Sequence, residues 1–172
     1  MDNNRKKAYE ICIEMLEQRE YIISEQLDDK IIAIKPNQSS VIVFFIEANK
    51  LGVGDIKDLV GELFSRDLDH MIIVYRDSVT PATKKFIENI VGIKIELFSE
   101  INLQFNITRH VLQPKSFEKL PDTEAREFKK TFGIKFPVLK HTGPIAAFFD
   151  FEKGDIIKIT RKNGLVVYRI VK

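Results

Sequence analysis

The chain has 172 residues, enough for one or two small domains that bury a core without disulfide or metal staples. Hydrophobic residues make up 44% and charged residues 30%, which excludes a wholly disordered chain, and eight Gly with six Pro exclude collagen-like or Pro/Gly low-complexity sequence. The net charge of +2 conceals an asymmetry: residues 1–103 carry 13 Lys and Arg against 18 Asp and Glu, residues 104–172 carry 14 against 7. Such a split predicts two units facing different neighbours, the basic one suited to nucleic acid or an acidic protein surface, or else a lysine-rich solvated face. One cysteine, Cys12, excludes an intramolecular disulfide framework and a cysteine-based zinc site, and fits a reducing compartment. There is no run of roughly 18 apolar residues to make a transmembrane helix, and the polar N-terminus reads straight into a helix rather than into a secretory signal.

In chain order, Arg5–Arg19 is helical. Ala8, Ile11, Cys12, Met15 and Leu16 recur at helical spacing, with Glu10, Glu14, Glu17 and Gln18 opposite. Cys12 on that stripe reads as a small core residue, not a nucleophile. Lys30–Lys35 (KIIAIK) and Val41–Glu47 (VIVFFIE) are short β-branched or aromatic runs around the turn cluster 36–40, and predict an antiparallel hairpin whose second strand is covered on both faces. Asp55–Arg66 has helical register, and Asp69–Arg76 reads as a strand. Thr80 and Pro81 predict the N-cap and first residue of a helix running to about Ile90 and ending at Gly92. Ile93–Phe98 is a further strand. Strands separated by helices predict parallel crossovers in a mixed sheet.

Residues 99–104 make a short connector. Phe105–Leu112 reads as a strand or extended segment, Pro114 and Pro121 bracket a loop, and Asp122 caps a helix from Thr123 to Phe132 stopped by Gly133. Ile145–Phe149 is a short apolar helix. Asp155–Arg161 and Leu165–Val171 form a closing hairpin around Lys162-Asn163-Gly164, in which Asn-Gly is a strong turn signal. The expected fold class is therefore α+β / α/β: a mixed-sheet N-terminal domain with flanking helices over 1–103, and a small α+β C-terminal domain over 104–172 ending in a β-hairpin.

Little in the sequence signals catalysis. His70, His110 and His141 lie far apart, and no G-x-S-x-G, Walker A, Rossmann glycine or H-E-x-x-H pattern occurs. Gly52-Val53-Gly54 is a lone G-x-G between strand and helix, either an anion site at the helix N-terminus or a plain turn. A magnesium-dependent nuclease would set an Asp and a D/E-x-K on adjacent strands. The candidates Glu47, Asp69 and Glu96 lack that spacing, because Lys94-Ile95-Glu96 runs in reverse and Glu47 is followed by Lys50. Lys129-Lys130-Thr131-Phe132 and Lys135-Phe136 set basic residues beside aromatics, as a single-strand stacking platform would, although Phe128 and Phe132 at i, i+4 read as core. Asn106-Ile107-Thr108 is an N-x-T sequon, without meaning in an intracellular protein.

Longer strings carry more. Phe105–Pro114 (FNITRHVLQP) resembles the N-I-T-x-H-x-L-x-P entry to the assembly domain of RNA polymerase subunit 5, the common subunit of nuclear RNA polymerases and a homologue of the H polypeptide of archaeal RNA polymerase. Phe132-Gly133-Ile134 and Phe136-Pro137-Val138-Leu139 resemble that family's Y-G-I and L-P-x-I, and Gly143-Pro144-Ile145-Ala146 resembles D-P-V-A. Residues 153–159 (KGDIIKI) resemble K-R-G-D-V-V-K-I, and Tyr168-Arg169-Ile170-Val171 matches Y-R-I-V. Upstream, Val43-Phe44-Phe45 with Gly52–Ile56, and Ile73-Val74-Tyr75 with Thr80–Lys84, resemble the eukaryotic subunit's V-F-F, V-G-x-K, I-V-x-Q and T-P-S-A-K segments. The departures are a shorter N-terminal domain, loss of the acid and arginine of D-P-V-A-R-Y, and a last hairpin loop cut to Asn163-Gly164. The archaeal H polypeptide has only the C-terminal domain, so the N-terminal part implies a eukaryote-type polymerase, nuclear or encoded by a large DNA virus.

The resemblance implies a non-catalytic subunit of a multisubunit DNA-dependent RNA polymerase, with no cofactor, metal or small-molecule substrate of its own. Its C-terminal assembly domain would dock on the largest subunit, and its N-terminal jaw domain would form part of the lower jaw near downstream duplex DNA. Thr80, Pro81, Lys84 and Lys85 are the implied DNA-proximal residues. Pro137, Leu139, Gly143, Pro144, Gly154, Arg161, Tyr168 and Arg169 are the implied interface. The setting would be intracellular, in the nucleus or, for a virus, in virion or host cytoplasm, with no membrane partner. The alternatives are a free-standing nucleic-acid-binding module and the nuclease weighed above.

Overall fold

Residues 41–45 are buried without a break, and a strand apolar on both sides must be covered on both. In a computed structural model describing residues 2–133 and 135–172, the chain divides into two units, residues 1–105 and 106–172. Ile134, in the string Phe132-Gly133-Ile134, lies outside the described residues. The fold is α+β, with five helices and several sheets among the described residues. No helix among them is long and apolar enough to cross a membrane.

The first unit runs α1 (Asn3–Gln18), β1 (Ile22–Gln26), β2 (Lys30–Ile34), β3 (Ser40–Phe45), β4 (Lys50–Leu51), α2 (Val53–Ser65), β5 (His70–Tyr75), β6 (Ser78–Val79), α3 (Pro81–Glu88) and β7 (Lys94–Ser99). Its main sheet has the order β1-β2-β3-β5-β7; β1, β2 and β3 pair antiparallel, while β3–β5 and β5–β7 are parallel. The expected hairpin and both expected crossovers are thus present. Because β3, β5 and β7 advance in one direction, both crossover helices fall on one face. There Ile42, Phe44, Met71 and Ile73 meet Leu51, Ile56 and Leu63. Alternation sends Val41, Val43, Phe45, Ile72 and Val74 to the other face, which α1 covers with Ala8, Cys12, Met15 and Leu16, all fully buried. The Tyr9 and Phe45 rings lie 4.9 Å apart across this contact.

Two buried arginines hold α1. At its start Arg5 donates to the carbonyl of Phe45 and lies 3.6 Å from Glu100. Beyond its end Arg19 makes a bidentate pair with Glu96 at 2.8 and 2.7 Å. Glu96 also accepts from His70 Nε2 at 2.7 Å, and His70 Nδ1 lies 3.4 Å from the Tyr21 hydroxyl. Burial disfavours the Glu96 carboxylate, but hydrogen bonds from His70 and Arg19 outweigh it and bring the carboxyl down to about 2.

Strand β1 escapes sequence reading because its two isoleucines are adjacent rather than alternating and it is mostly exposed, an edge strand with a register shift between Ile23 and Glu25. The tiny parallel pair β4–β6 leaves no periodic signal at all.

The second unit holds β8 (Ser116–Lys119), α4 (Asp122–Phe132), β9 (Val138–Leu139), α5 (Pro144–Phe149), β10 (Ile156–Thr160) and β11 (Val166–Val171). The sheet order is β8-β10-β11-β9, with the expected terminal hairpin β10–β11 at its centre. Helix α4 covers one face through Ala125 against Ile156 and Ile170. Helix α5 lies on the other through Ile145 and Ala146 against Ile157, Ile159 and Val171.

The structure corrects four expectations. Phe105–Leu112 is not a strand: Ile107–Arg109 is a 3₁₀ turn in which the Asn106 carboxamide oxygen accepts from the Thr108 amide at 3.0 Å and the Thr108 hydroxyl at 2.6 Å. That local bonding competes with any ladder. The span between Pro114 and Pro121 is not all loop, since Ser116–Lys119 forms β8 and pairs with β10, and Phe117, the single apolar residue of that strand, is too weak a pattern to see. Asp122 is the first helical residue rather than the cap, with Pro121 at the N-cap. Its carboxylate still suits the helix N-terminus. Phe132 is 63% exposed, not core.

The Glu96 carboxyl lies lower in the fold than in the unfolded chain, so it stabilises the protein above the ordinary carboxylate range. That stability, on the order of 3 kcal/mol, drains away as pH falls from about 4.5 to about 2. Denaturant titrations across that range should show this acid limb, and Glu96→Gln should flatten it while lowering neutral-pH stability by about 3 kcal/mol, because Arg19 loses its counter-charge. Separately, Gly154 has φ +95° while Gly61 lies exposed within α2 with open space around its Cα. Gly154→Ala should destabilise by roughly 1–2 kcal/mol, whereas Gly61→Ala should stabilise by up to about 1 kcal/mol, both read as shifts in denaturation midpoint.

Candidate functional site

The implied DNA-proximal residues sit together at the start of α3. Thr80 is the N-cap, its hydroxyl accepting from the Thr83 amide at 3.1 Å, and Pro81 occupies the first turn, as the sequence predicts. The Thr83 hydroxyl, fully buried, donates to the Leu51 carbonyl at 3.1 Å, and the Thr80 amide donates to that carbonyl at 3.2 Å. The helix start is therefore tied to the β4–β6 pair, and Lys84 and Lys85 are exposed in its first turns. The start of α2 lies at the end of β4. There the Asp55 carboxylate accepts from the Gly52 amide at 2.7 Å, so Gly52-Val53-Gly54 is a turn whose helix N-terminus already faces an anion of its own.

The implied interface residues do not form one cluster. Leu139, Arg161 and Arg169 line a groove of about 550 Å³ on the α5 face of the second sheet. Its floor is Phe117, Leu139, Ile145, Ile159 and Val167, and its rim is Leu112, Pro114, Arg161, Lys162 and Arg169. Tyr168 points to the opposite face, as strand alternation requires, and lies 4.5 Å from the Phe128 ring. Pro137 is exposed, its carbonyl accepting from the Ile170 amide at 3.1 Å. Pro144 is the first residue of α5 and Gly143 its N-cap. A β-carbon at Gly143 would lie 3.0 Å from the Lys140 carbonyl oxygen, so glycine there serves the close approach of the preceding turn. The Gly154 amide donates to the Val171 carbonyl, and its own carbonyl accepts from Lys129 Nζ at 2.6 Å.

That last bond also bears on the basic-aromatic stretch. Lys129 is anchored to the fold, and Phe128 is half-buried among Phe132, Phe136 and Tyr168, with centroids 4.5–5.1 Å apart. The carboxylates considered for a nuclease do not converge. Glu47 follows β3 and Asp69 precedes β5, at opposite ends of two parallel strands, while Glu96 is held by Arg19 and His70.

Sequence reading missed the groove residues Leu112, Phe117, Ile159 and Val167. Ile159 and Val167 carried a signal, since they face each other across the predicted hairpin. Phe117 joins them only through β8.

A family profile described as RNA polymerase Rpb5, C-terminal domain, matches residues 105–171. Over the whole length the chain is 35% identical to a protein of Invertebrate iridescent virus 6 named as DNA-directed RNA polymerase subunit 454R, covering 96% of this chain and 98% of that one. It is 29% identical to the Dictyostelium discoideum protein named DNA-directed RNA polymerases I, II, and III subunit rpabc1, over 88% and 86% of the two chains. It is 27% identical to an Arabidopsis thaliana protein named DNA-directed RNA polymerases IV and V subunit 5B, over 99% and 85%. The C-terminal profile match and the end-to-end viral similarity make this chain a member of the RNA polymerase subunit 5 family.

Proposed function

We propose that the chain is a non-catalytic subunit of a multisubunit DNA-directed RNA polymerase, in which its C-terminal unit docks on the largest subunit and its N-terminal unit forms part of the lower jaw near downstream DNA. The observation that carries this reading is the similarity, over 96% of this chain and so across both units rather than one, to a viral protein named only as a DNA-directed RNA polymerase subunit. The charge division supports the same reading. The C-terminal part, with 14 basic against 7 acidic residues over 104–172, suits an acidic protein surface, whereas the acidic N-terminal part makes a poor general DNA clamp. DNA contact is therefore local, at Thr80, Pro81, Lys84 and Lys85. The family's range of nuclear and viral members supports a nuclear or virus-encoded enzyme.

Affinity purification of the tagged chain from its native source in about 0.5 M salt, where the Debye length is only about 4 Å, tests membership in the enzyme. The two largest polymerase subunits should be recovered at equal stoichiometry. Recovery of the chain alone would overturn the reading and favour a free-standing nucleic-acid-binding module, for which the isolated chain should bind DNA or RNA with a steep salt slope. In the assembled enzyme, Lys84→Ala with Lys85→Ala should shorten elongation-complex half-life. It should also flatten the log–log salt dependence of that half-life by up to about 2, one for each phosphate deprived of its lysine. An unchanged slope would remove these lysines from the DNA path.

A further inference from the structure

The groove on the α5 face is a piece of sheet that its own helix fails to cover. Helix α5 has six residues, about 9 Å of helix, while the sheet beneath it runs through four strands. Phe117, Leu139 and Val167 are left only half-buried beside fully packed Ile157 and Val171. The rim adds Leu112, 85% exposed, beside a groove of about 550 Å³.

Charge identifies the occupant. Three cations, Arg161, Lys162 and Arg169, border the groove, and no carboxylate lines it among the described residues. Arg169 reaches the Val138 carbonyl at 3.3 Å, and Lys162 reaches the Val111 carbonyl. Both contacts use backbone acceptors and leave the positive charges uncompensated. An apolar floor rejects a phosphate backbone, which needs polar groups along its whole track, but accepts aliphatic or aromatic side chains. A cationic rim then favours carboxylates flanking them, with arginine giving bidentate geometry.

We infer that this groove seats an extended polypeptide segment of another polymerase subunit, with apolar side chains entering the floor and flanking Asp or Glu residues pairing with Arg161, Lys162 and Arg169. The inference rests on the subunit reading above and adds to it the seat and the chemistry of the docked segment.

The test is photo-cross-linking in the assembled enzyme. A benzophenone amino acid replaces Leu112 or Gln113 in the full chain, with exposed Val91 of the first unit as control, and cross-linked peptides are sequenced from purified polymerase. The expected product from both groove positions, absent from the control, is one polymerase-subunit segment bearing apolar residues next to acidic ones. Arg161→Glu should lower its yield at least tenfold, and Arg161→Lys no more than about threefold. Cross-links to nucleic acid, to a basic or wholly polar segment, or to nothing, in an enzyme that retains the chain, would overturn the groove assignment and leave the subunit reading intact. A yield unaffected by Arg161→Glu would overturn the rim's role in the same way. Failure of the chain to copurify with any polymerase subunit would overturn both.

Discussion

The first unit depends on how a single helix is registered on an apolar sheet face. Ala8, Cys12, Met15 and Leu16 supply burial, but a greasy stripe on a greasy surface can slide. Arg5 and Arg19, fourteen residues or about 21 Å apart along the helix axis, remove that freedom by meeting Glu100 and the Phe45 carbonyl at one end and Glu96 with His70 at the other. Buried ion pairs contribute little net stability over well-packed hydrophobic groups. Their contribution here is positional: each has one set of partners, so the helix has one translation and one rotation. The alternative positions leave buried charges unpaired, which is the costly state.

The second unit solves the opposite problem. Its sheet has one face packed by α4 and the other only partly closed by α5, so the fold retains apolar area after folding. A free-standing domain pays for such exposure in solubility, whereas a permanent member of a large complex hides it on assembly.

How much of the fold is legible in the sequence depends on where the ordering information lies. Helix α1, the β2–β3 hairpin, the two crossovers, the Thr80-Pro81 helix start and the closing hairpin all carry periodicity or turn chemistry within a few residues, and all are present. The arginine pins are visible in part. Arg5, Cys12 and Arg19 recur every seven residues on the apolar stripe, and charges at such positions call for buried partners, though not for Glu100 or Glu96 by name. Strands β1, β8 and β9 are mostly exposed, polar or very short and exist because a neighbouring strand offers hydrogen bonds, information that no local window contains. The Asn106-Ile107-Thr108 string is recognisable by resemblance, yet its patterning suggests an extended segment, since a side-chain cap is invisible to hydrophobic periodicity. The implied interface residues make one set in sequence and fall on both faces of a sheet, because adjacent residues such as Tyr168 and Arg169 necessarily point apart.

The one cysteine of the chain lies midway between the two arginine pins, fully buried on the sheet-facing side of α1, and burial pushes its thiol up to about 12. A thiol so placed reacts with an alkylating reagent only when the helix lifts from the sheet. Its labelling rate in the native protein is thus a direct clock for detachment of α1. Because the position is unique, that clock reads without background from any other sulfhydryl of the chain, whether the chain is isolated or inside an assembled enzyme.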